Sequence, residues 1–401
     1  MRFSILLFLL ISISCQTKHT TLQHEAIPDA LPGTFSYDRA FLKKHKEIIE
    51  LVNNNSKLLI VPDYQARVMT STANGDAGNS YGWINYSLIQ SGELKSHMNP
   101  FGGEDRFWLG PEGGQYALYF KKGDPFDFEH WQTPASIDSE AFEIVSSDSI
   151  QAMFKKITSI TNYVGFTFHL EIDRKVKLLD VVTIEQEFGI SIGQLKAVAF
   201  QSENSITNVA EQQWTQQNGL PSIWILGMFI PSDKTVIVLP HEKTANKNKV
   251  TDNYFGAIPP ERIKRKENLL LLKGDGKFRG KVGIAPSIAK NIVGSYAEEK
   301  KILTLVKYDL DKSGKYVNSK WEIQKKPFDG DVLNSYNDGP QADGSQMGPF
   351  YELESSSATK ELKKGEKLYH RHITLHLEGD ENALSLIAEK TLGVSLKKLQ
   401  F

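Results

Sequence analysis

Cysteine is almost missing from this chain: its 401 residues hold one, Cys15. That excludes an internal disulfide and a thiolate metal cluster. Net charge is nearly missing as well, with 47 Lys and Arg against 48 Asp and Glu. Phosphate backbones are gripped by basic surfaces, so nucleic acid is excluded as the main partner. Beyond the first residues no apolar run is long enough to cross a bilayer. G-x-S-x-G, H-E-x-x-H, P-loop and dinucleotide fingerprints are all lacking, and no cofactor is expected. What remains is 40% hydrophobic and 24% charged, a composition that folds and buries a sizeable core.

The lone cysteine has a context. Arg2 precedes the apolar run Phe3 to Ile11, and small residues lead into Ser12-Ile13-Ser14-Cys15. The run is a secretory h-region, too short to span a membrane. The stretch resembles a bacterial lipoprotein signal, which implies cleavage before Cys15 and lipidation of its thiol. Residues 1–14 are then a signal peptide and 15–35 a linker after the lipidated cysteine, with a single domain over 36–401. The expected location is the outer membrane, with the lipid anchor as the membrane contact.

A helix is expected from about Tyr37 to Val52, followed by many short β-rich segments separated by Gly, Asn, Asp and Pro. Among them are Leu58–Val61, Ala66–Thr70, Tyr116–Phe120, Val181–Ile184, Ser222–Phe229 and Lys301–Val306. This spacing predicts an all-β antiparallel sandwich. A last helix runs from about Asn382 to Leu392 and stops at Gly393. The segments Asp124–Trp131, Asn204–Asn208 and Arg262–Lys266 read as loops.

Three segments could carry chemistry. His97 to Gln115 packs glycine pairs around Glu104, Asp105, Arg106, Trp108 and Glu112. Arg forks onto carboxylates and Trp offers a flat apolar face to a sugar ring, while an internal Arg–Glu brace is the structural alternative. In Gly348–Ser355, strand alternation puts Glu352 and Glu354 on one face. In Leu368–Leu377, His370, His372, Thr374 and His376 share a face, with Ile373, Leu375 and Leu377 opposite as the core face. H-x-H is a common metal-ligand spacing, and histidine also titrates near neutral pH. No cysteine can assist and the nearest acids are in another strand, so acid/base work ranks above a metal site, and no metal is expected. A plain exposed histidine face is the structural alternative.

Gly102 to Glu112 resembles the Gly-Gly-x-Arg-x-Trp-x-x-Pro-Glu stretch of galactose-mutarotase-like proteins. Leu59–Val68 is similar to their opening strand pair, and Asn204–Asn208 to their central N-x-T-N region. More closely, Asn99–Thr133 resembles a lipoprotein family of polysaccharide-degrading Bacteroidota that carries a domain of unknown function. The likeness runs over about residues 57–380 and implies a galactose-mutarotase-like β-supersandwich, with a short N-terminal and a C-terminal helix, binding an oligosaccharide. It also implies company: other enzymes of one polysaccharide-degrading pathway, including those acting on the uronate-bearing algal polysaccharide ulvan.

Three functions follow from that resemblance. The first is β-elimination on a uronate-containing oligosaccharide by a dehydratase or lyase. His370 or His372 removes the C5 proton, Arg106 neutralises the carboxylate, and Glu354 or Tyr369 protonates the leaving oxygen at C4. Asn99, Trp108, Glu112 and Glu352 hold the sugar. The second is an aldose 1-epimerase, which needs acid and base at the anomeric centre but no carboxylate clamp. The third is a glycan-binding lipoprotein without catalysis.

Overall fold

The computed structural model describes residues 30–246, 249–341 and 343–401. The expected signal peptide, Cys15 and most of the expected linker lie outside the described residues. In chain order the elements begin with α1 (Phe35–His45), β1 (Ile49–Asn53), β2 (Ser56–Val61), β3 (Arg67–Thr72), α2 (Tyr86–Ser91) and β4 (Arg106–Gly110). There follow β5 (Glu143–Ser147), β6 (Gln151–Thr161), β7 (Thr167–Leu178), α3 (Val181–Phe188), β8 (Lys196–Asn208), β9 (Ser222–Phe229) and β10 (Thr235–Pro240). Next are β11 (Val250–Thr251), β12 (Ile263–Lys266), β13 (Leu269–Lys273), β14 (Gly280–Ile284), β15 (Ile292–Ala297) and β16 (Ile302–Tyr308). The chain closes with β17 (Leu333–Asn337), β18 (Tyr351–Ser356), β19 (Lys367–Glu378) and α4 (Glu381–Leu392).

These strands form an antiparallel supersandwich, the fold class expected from the sequence. A ten-stranded sheet has the order β12-β13-β10-β15-β16-β19-β8-β7-β6-β5, and a six-stranded sheet the order β11-β14-β17-β18-β9-β4. Phe107, Leu109, Ile223 and Ile225 of the smaller sheet join one core with Phe154, Ile172 and Phe200 of the larger. A second core on the far side of the larger sheet packs Ile373, Leu375 and Leu377 against Ile184 and Phe188 of α3 and Leu384 and Ile387 of α4. Each such side chain contributes about 1.5–3 kcal/mol by leaving water. The large sheet is therefore covered on both faces. β1, β2 and β3 make a third, small sheet that packs with α1 and α2.

Local chemistry explains where the elements differ from expectation. The first helix ends at His45 rather than Val52, because Ile49–Asn53 pairs with Ser56–Ile60 instead. Asn54, at φ 56°, makes the two-residue turn of that hairpin, a left-handed conformation asparagine tolerates. Val181–Ile184 is helical, not a strand. The Asp180 side chain accepts from Thr183 N at 2.7 Å, Gly189 caps the other end, and Ile184 and Phe188, four apart, face the core. Tyr116–Phe120 is not a strand but a buried loop, tied down by Tyr119 Oη donating to Leu109 O at 2.9 Å. Asn204–Asn208 and Ile263–Lys266, expected as loops, are the end of β8 and the edge strand β12. The C-terminal helix stops as expected at Gly393, in the left-handed region at φ 74°.

Candidate functional site

The cleft forms on the face of the six-stranded sheet that points away from the ten-stranded one. Register decides what it contains. Lys281, Tyr336, Glu352 and Met228 stand side by side across β14, β17, β18 and β9. The adjoining row aligns Asn334, Glu354, Leu226 and Arg106 across β17, β18, β9 and β4. Alternation sends all of these to one face and their neighbours Val282, Leu353, Ile225 and Phe107 into the sandwich. The cleft is walled by Trp108, Trp131, Trp224, Trp321, Phe255 and Glu112.

Gly102 and Gly103 make the approach to β4 feasible. Both have positive φ, 98° and 106°, and a Cβ on Gly102 would stand 2.1 Å from Trp83 O. The two acids that follow turn inward. Glu104 Oε2 lies 2.7 Å from His376 Nε2, and Asp105 pairs with Arg174 at 2.5 Å between the sheets. Arg106 emerges into the cleft, where its Nη2 donates to Glu352 Oε1 at 2.8 Å and its guanidinium lies 4.1 Å from the Trp108 ring centroid. Behind Glu352, Glu354 Oε2 accepts from Trp224 Nε1 and Lys281 Nζ, both at 3.0 Å.

This crowding moves proton affinities. Burial pushes the Glu352 carboxyl up to about 8, against the pull of Arg106 and with the help of Glu354. Burial also raises Glu112, opposed by Lys281. For Lys281 burial works against the charge, but Glu354, Glu112 and Glu352 outweigh it and the ammonium is held above its usual value. The indole Nε1 of Trp108 and of Trp131, and Nε of Arg106 and of Arg279, are buried with no hydrogen-bond partner among the described residues. The site thus combines a carboxyl of raised proton affinity, a second carboxyl, fixed cations, idle donors and flat aromatic faces.

The residues expected from the sequence divide into three sets. Arg106, Trp108, Glu112 and Glu352 line the cleft together, and Glu354 braces it from below. Asn99 is one step back: its Nδ2 donates to Asp138 at 2.6 Å and its Oδ1 accepts from Lys95 N at 2.7 Å, so it holds the loop before β4. The third set does not reach the cleft. Tyr369 is 68% exposed on the other face of β19, away from the histidines. His370 and His372 are buried between the sheets, with Ser355 Oγ 2.7 Å from His370 Nε2 and 2.9 Å from His372 Nδ1. Ser355 points to the opposite side of β18 from Glu354, so the expected convergence of His372, Glu354 and Arg106 does not occur. Arg106 is also no free clamp, because Glu352 already occupies it. Among the described residues no group of His, Cys, Asp and Glu is arranged to hold a metal ion.

Burial holds the His370 and His372 pKa values down, to about 3 and about 4. Both rings stay neutral in the folded chain, whereas the unfolded chain takes up protons below about 6.5. Between about 6.5 and 4 the unfolded state therefore binds more protons, and folding stability falls as pH falls. Urea midpoints measured across that window are expected to drop on acidification, and to drop less in His370→Gln. Equal slopes for the two proteins would show that His370 does not resist protonation.

Several cleft residues carried no usable signal. Lys281 sits in Gly280-Lys281-Val282-Gly283-Ile284, an unremarkable alternation, and Trp321 in an irregular segment. Trp131 closes the aromatic and acidic stretch Asp124–Trp131, which was the available hint.

The fold is shared with distant proteins. The Slr1438 protein of Synechocystis sp. PCC 6803 superposes with a TM-score of 0.51 at 11% identity, over 84% of this chain and 96% of that one, and shows a common fold. A putative aldose 1-epimerase of Escherichia coli K12 is similar at TM-score 0.48 and 10% identity, covering 83% and 99%. A galactose mutarotase-like protein of Lactobacillus casei ATCC 334 gives 0.48 and 12%, also covering 83% and 99%. No curated protein matches the sequence. A family model does, over residues 33–401, and on that evidence the chain belongs to the Family of unknown function (DUF6786).

Proposed function

We propose that this protein is a carbohydrate-active enzyme that moves protons at the anomeric centre of an aldose, an aldose 1-epimerase-type reaction. The observation that carries it is that Glu352 and Glu112 both line one tryptophan-walled cleft. A carboxyl with a pKa of about 8 is a proton donor at neutral pH. Glu352 gives its proton to the ring oxygen while Glu112 takes the proton of the anomeric hydroxyl. The C1–O5 bond breaks, a C1 carbonyl forms, and reclosure from the other face returns both protons. Arg106 keeps Glu352 aimed, Lys281 stabilises charge on its neighbours, and the aromatic wall packs on the sugar, with the N–H groups of Trp108 and Trp131 left for its hydroxyls.

Elimination on a uronate is the second reading. Arg279, lining the same cleft, would meet the carboxylate in place of Arg106. In either case lipidation at Cys15 would present the cleft at a membrane surface, beside other enzymes acting on the same polysaccharide.

One pair of assays separates these reactions. Freshly dissolved aldoses are followed by polarimetry with and without the protein, and uronate-ended oligosaccharides by the ultraviolet absorbance of a new C4–C5 double bond. Faster decay of optical rotation without absorbance is expected. Absorbance would favour elimination, and sugar binding with neither signal would leave a glycan-binding protein.

A further inference from the structure

The cleft does not end where one sugar ring would. A cavity of about 510 Å³ opens between α2, the segment before β4 and residues 345–347, and it shares Met98, Phe128, Trp131, Gln341 and Met347 with the cleft. A second arm of about 390 Å³ leaves on the other side past Glu112, Phe255, Arg279, Lys281 and Trp321. A single ligand site generally measures about 300–1,000 Å³, so each arm alone has room for a further ring.

The aromatic lining runs through the junction. Phe128 and Trp131 are stacked at 6.0 Å and 21°, and Trp131 and Trp321 at 6.0 Å and 24°. Nearly parallel faces thus extend from the first arm, past the carboxyls, into the second. Phe128 borders all three spaces and is 47% exposed, so part of its ring is open to an occupant. The arms differ in charge. Arg279, Lys281 and Lys320 line the second with Glu112 and Glu322 among them, whereas the first offers Asn85, Ser87, Ser91, Ser96 and Gln346. Its charged residues, Glu93 and Lys95, stand 3.6 Å apart at an exposed position and offset each other.

We infer that the first arm is a subsite for an uncharged sugar unit, so that the substrate is an oligosaccharide of at least two rings and not a free monosaccharide. This rests on the carbohydrate reading of the cleft and deepens it. A sugar ring, with hydroxyls at its edge and C–H groups on its faces, matches a space that sets Asn85, Ser87 and Gln346 beside Leu88, Met98 and Trp131, and an ionic occupant would find no unpaired counter-charge there.

The test compares kcat/KM for mutarotation of glucose, cellobiose and cellotriose, with glucuronic acid and an aldobiouronic acid alongside. In the native protein the disaccharides are expected to exceed their monosaccharides by about tenfold, the equivalent of one modest binding contact. Ser87→Trp, an exposed position on α2 whose side chain borders the arm, is expected to erase that gain and leave the monosaccharide value unchanged. His97→Ala, which removes the ring packed 4.7 Å from Phe128, is a second variant should the tryptophan unfold the helix. Equal kcat/KM for mono- and disaccharides, or a gain that survives both variants in folded protein, overturns the subsite. Failure to accelerate mutarotation of any of these sugars overturns the function on which it rests.

Discussion

Glu352→Gln is expected to lower the mutarotation rate by about 10²–10⁴-fold while the protein stays folded. Glutamine keeps the shape and can still accept from Arg106, whose Nη2 lies 2.8 Å from the native Oε1, but it has no proton to give. The same group should set the alkaline limb of the native pH profile. Its acid form prevails below about 8, so activity holds below that value and falls as pH rises through it. In Glu352→Gln that limb should vanish from whatever activity remains. Polarimetry at fixed substrate across pH 6 to about 10 reads both effects, the upper limit chosen to lie well past the shifted carboxyl. A variant that retains the native rate and the native alkaline limb would remove Glu352 from the chemistry.

The largest stability effect should come from between the sheets. Asp105 and Arg174 are both fully buried and 2.5 Å apart. Asp105 also accepts from Ser202 Oγ at 2.8 Å, and Arg174 donates to Asn204 Oδ1 at 2.6 Å and Ala66 O at 3.1 Å. The network ties the start of β4 to β7 and β8 of the other sheet. Asp105→Ala leaves a buried guanidinium without its counter-charge, and breaking such a pair costs about 3–5 kcal/mol. Urea unfolding should show a much lower midpoint with an unchanged slope. A loss under about 1 kcal/mol would mean that the arginine finds other partners, the outcome expected of a solvent-exposed pair. Because Asp105 precedes Arg106, its loss should also loosen the aim of Arg106 at Glu352.

Reading the sequence reached the cleft by one route and missed by another, and the difference has a physical basis. Period-2 alternation correctly grouped Glu352 with Glu354, and His370 with His372 and His376. It could not say which of two sheets each strand would join. The histidine face turned inward because β19 lies at the centre of the ten-stranded sheet, with Ile373, Leu375 and Leu377 facing a second core under α3 and α4. An apolar face is normally taken as the only buried one, yet here both are buried. The histidines then find their partners internally, in Ser355, Thr304 and Glu104, while Nε2 of His372 has none among the described residues. The Gly-Gly-Glu-Asp-Arg-Phe-Trp stretch divided in the same way, its acids going to the interior and its Arg and Trp to the cleft.

By itself the sequence determined the class of fold, through turn residues at short intervals and apolar alternation between them, and the end of α4, through Gly393. It also determined which side chains within a strand share a face, since that depends only on the pleat. Only the tertiary structure decided which faces meet. Lys281, from β14, reaches Glu354, from β18, because β17 lies between those strands in register, a pairing set by contacts far apart in the chain. The scarcity of cysteine and the near-zero net charge take their final meaning there. The one cysteine lies outside the described residues, and in the proposed reaction the work falls to carboxyls and cations buried together, whose proton affinities belong to the assembled sheet rather than to any segment of it.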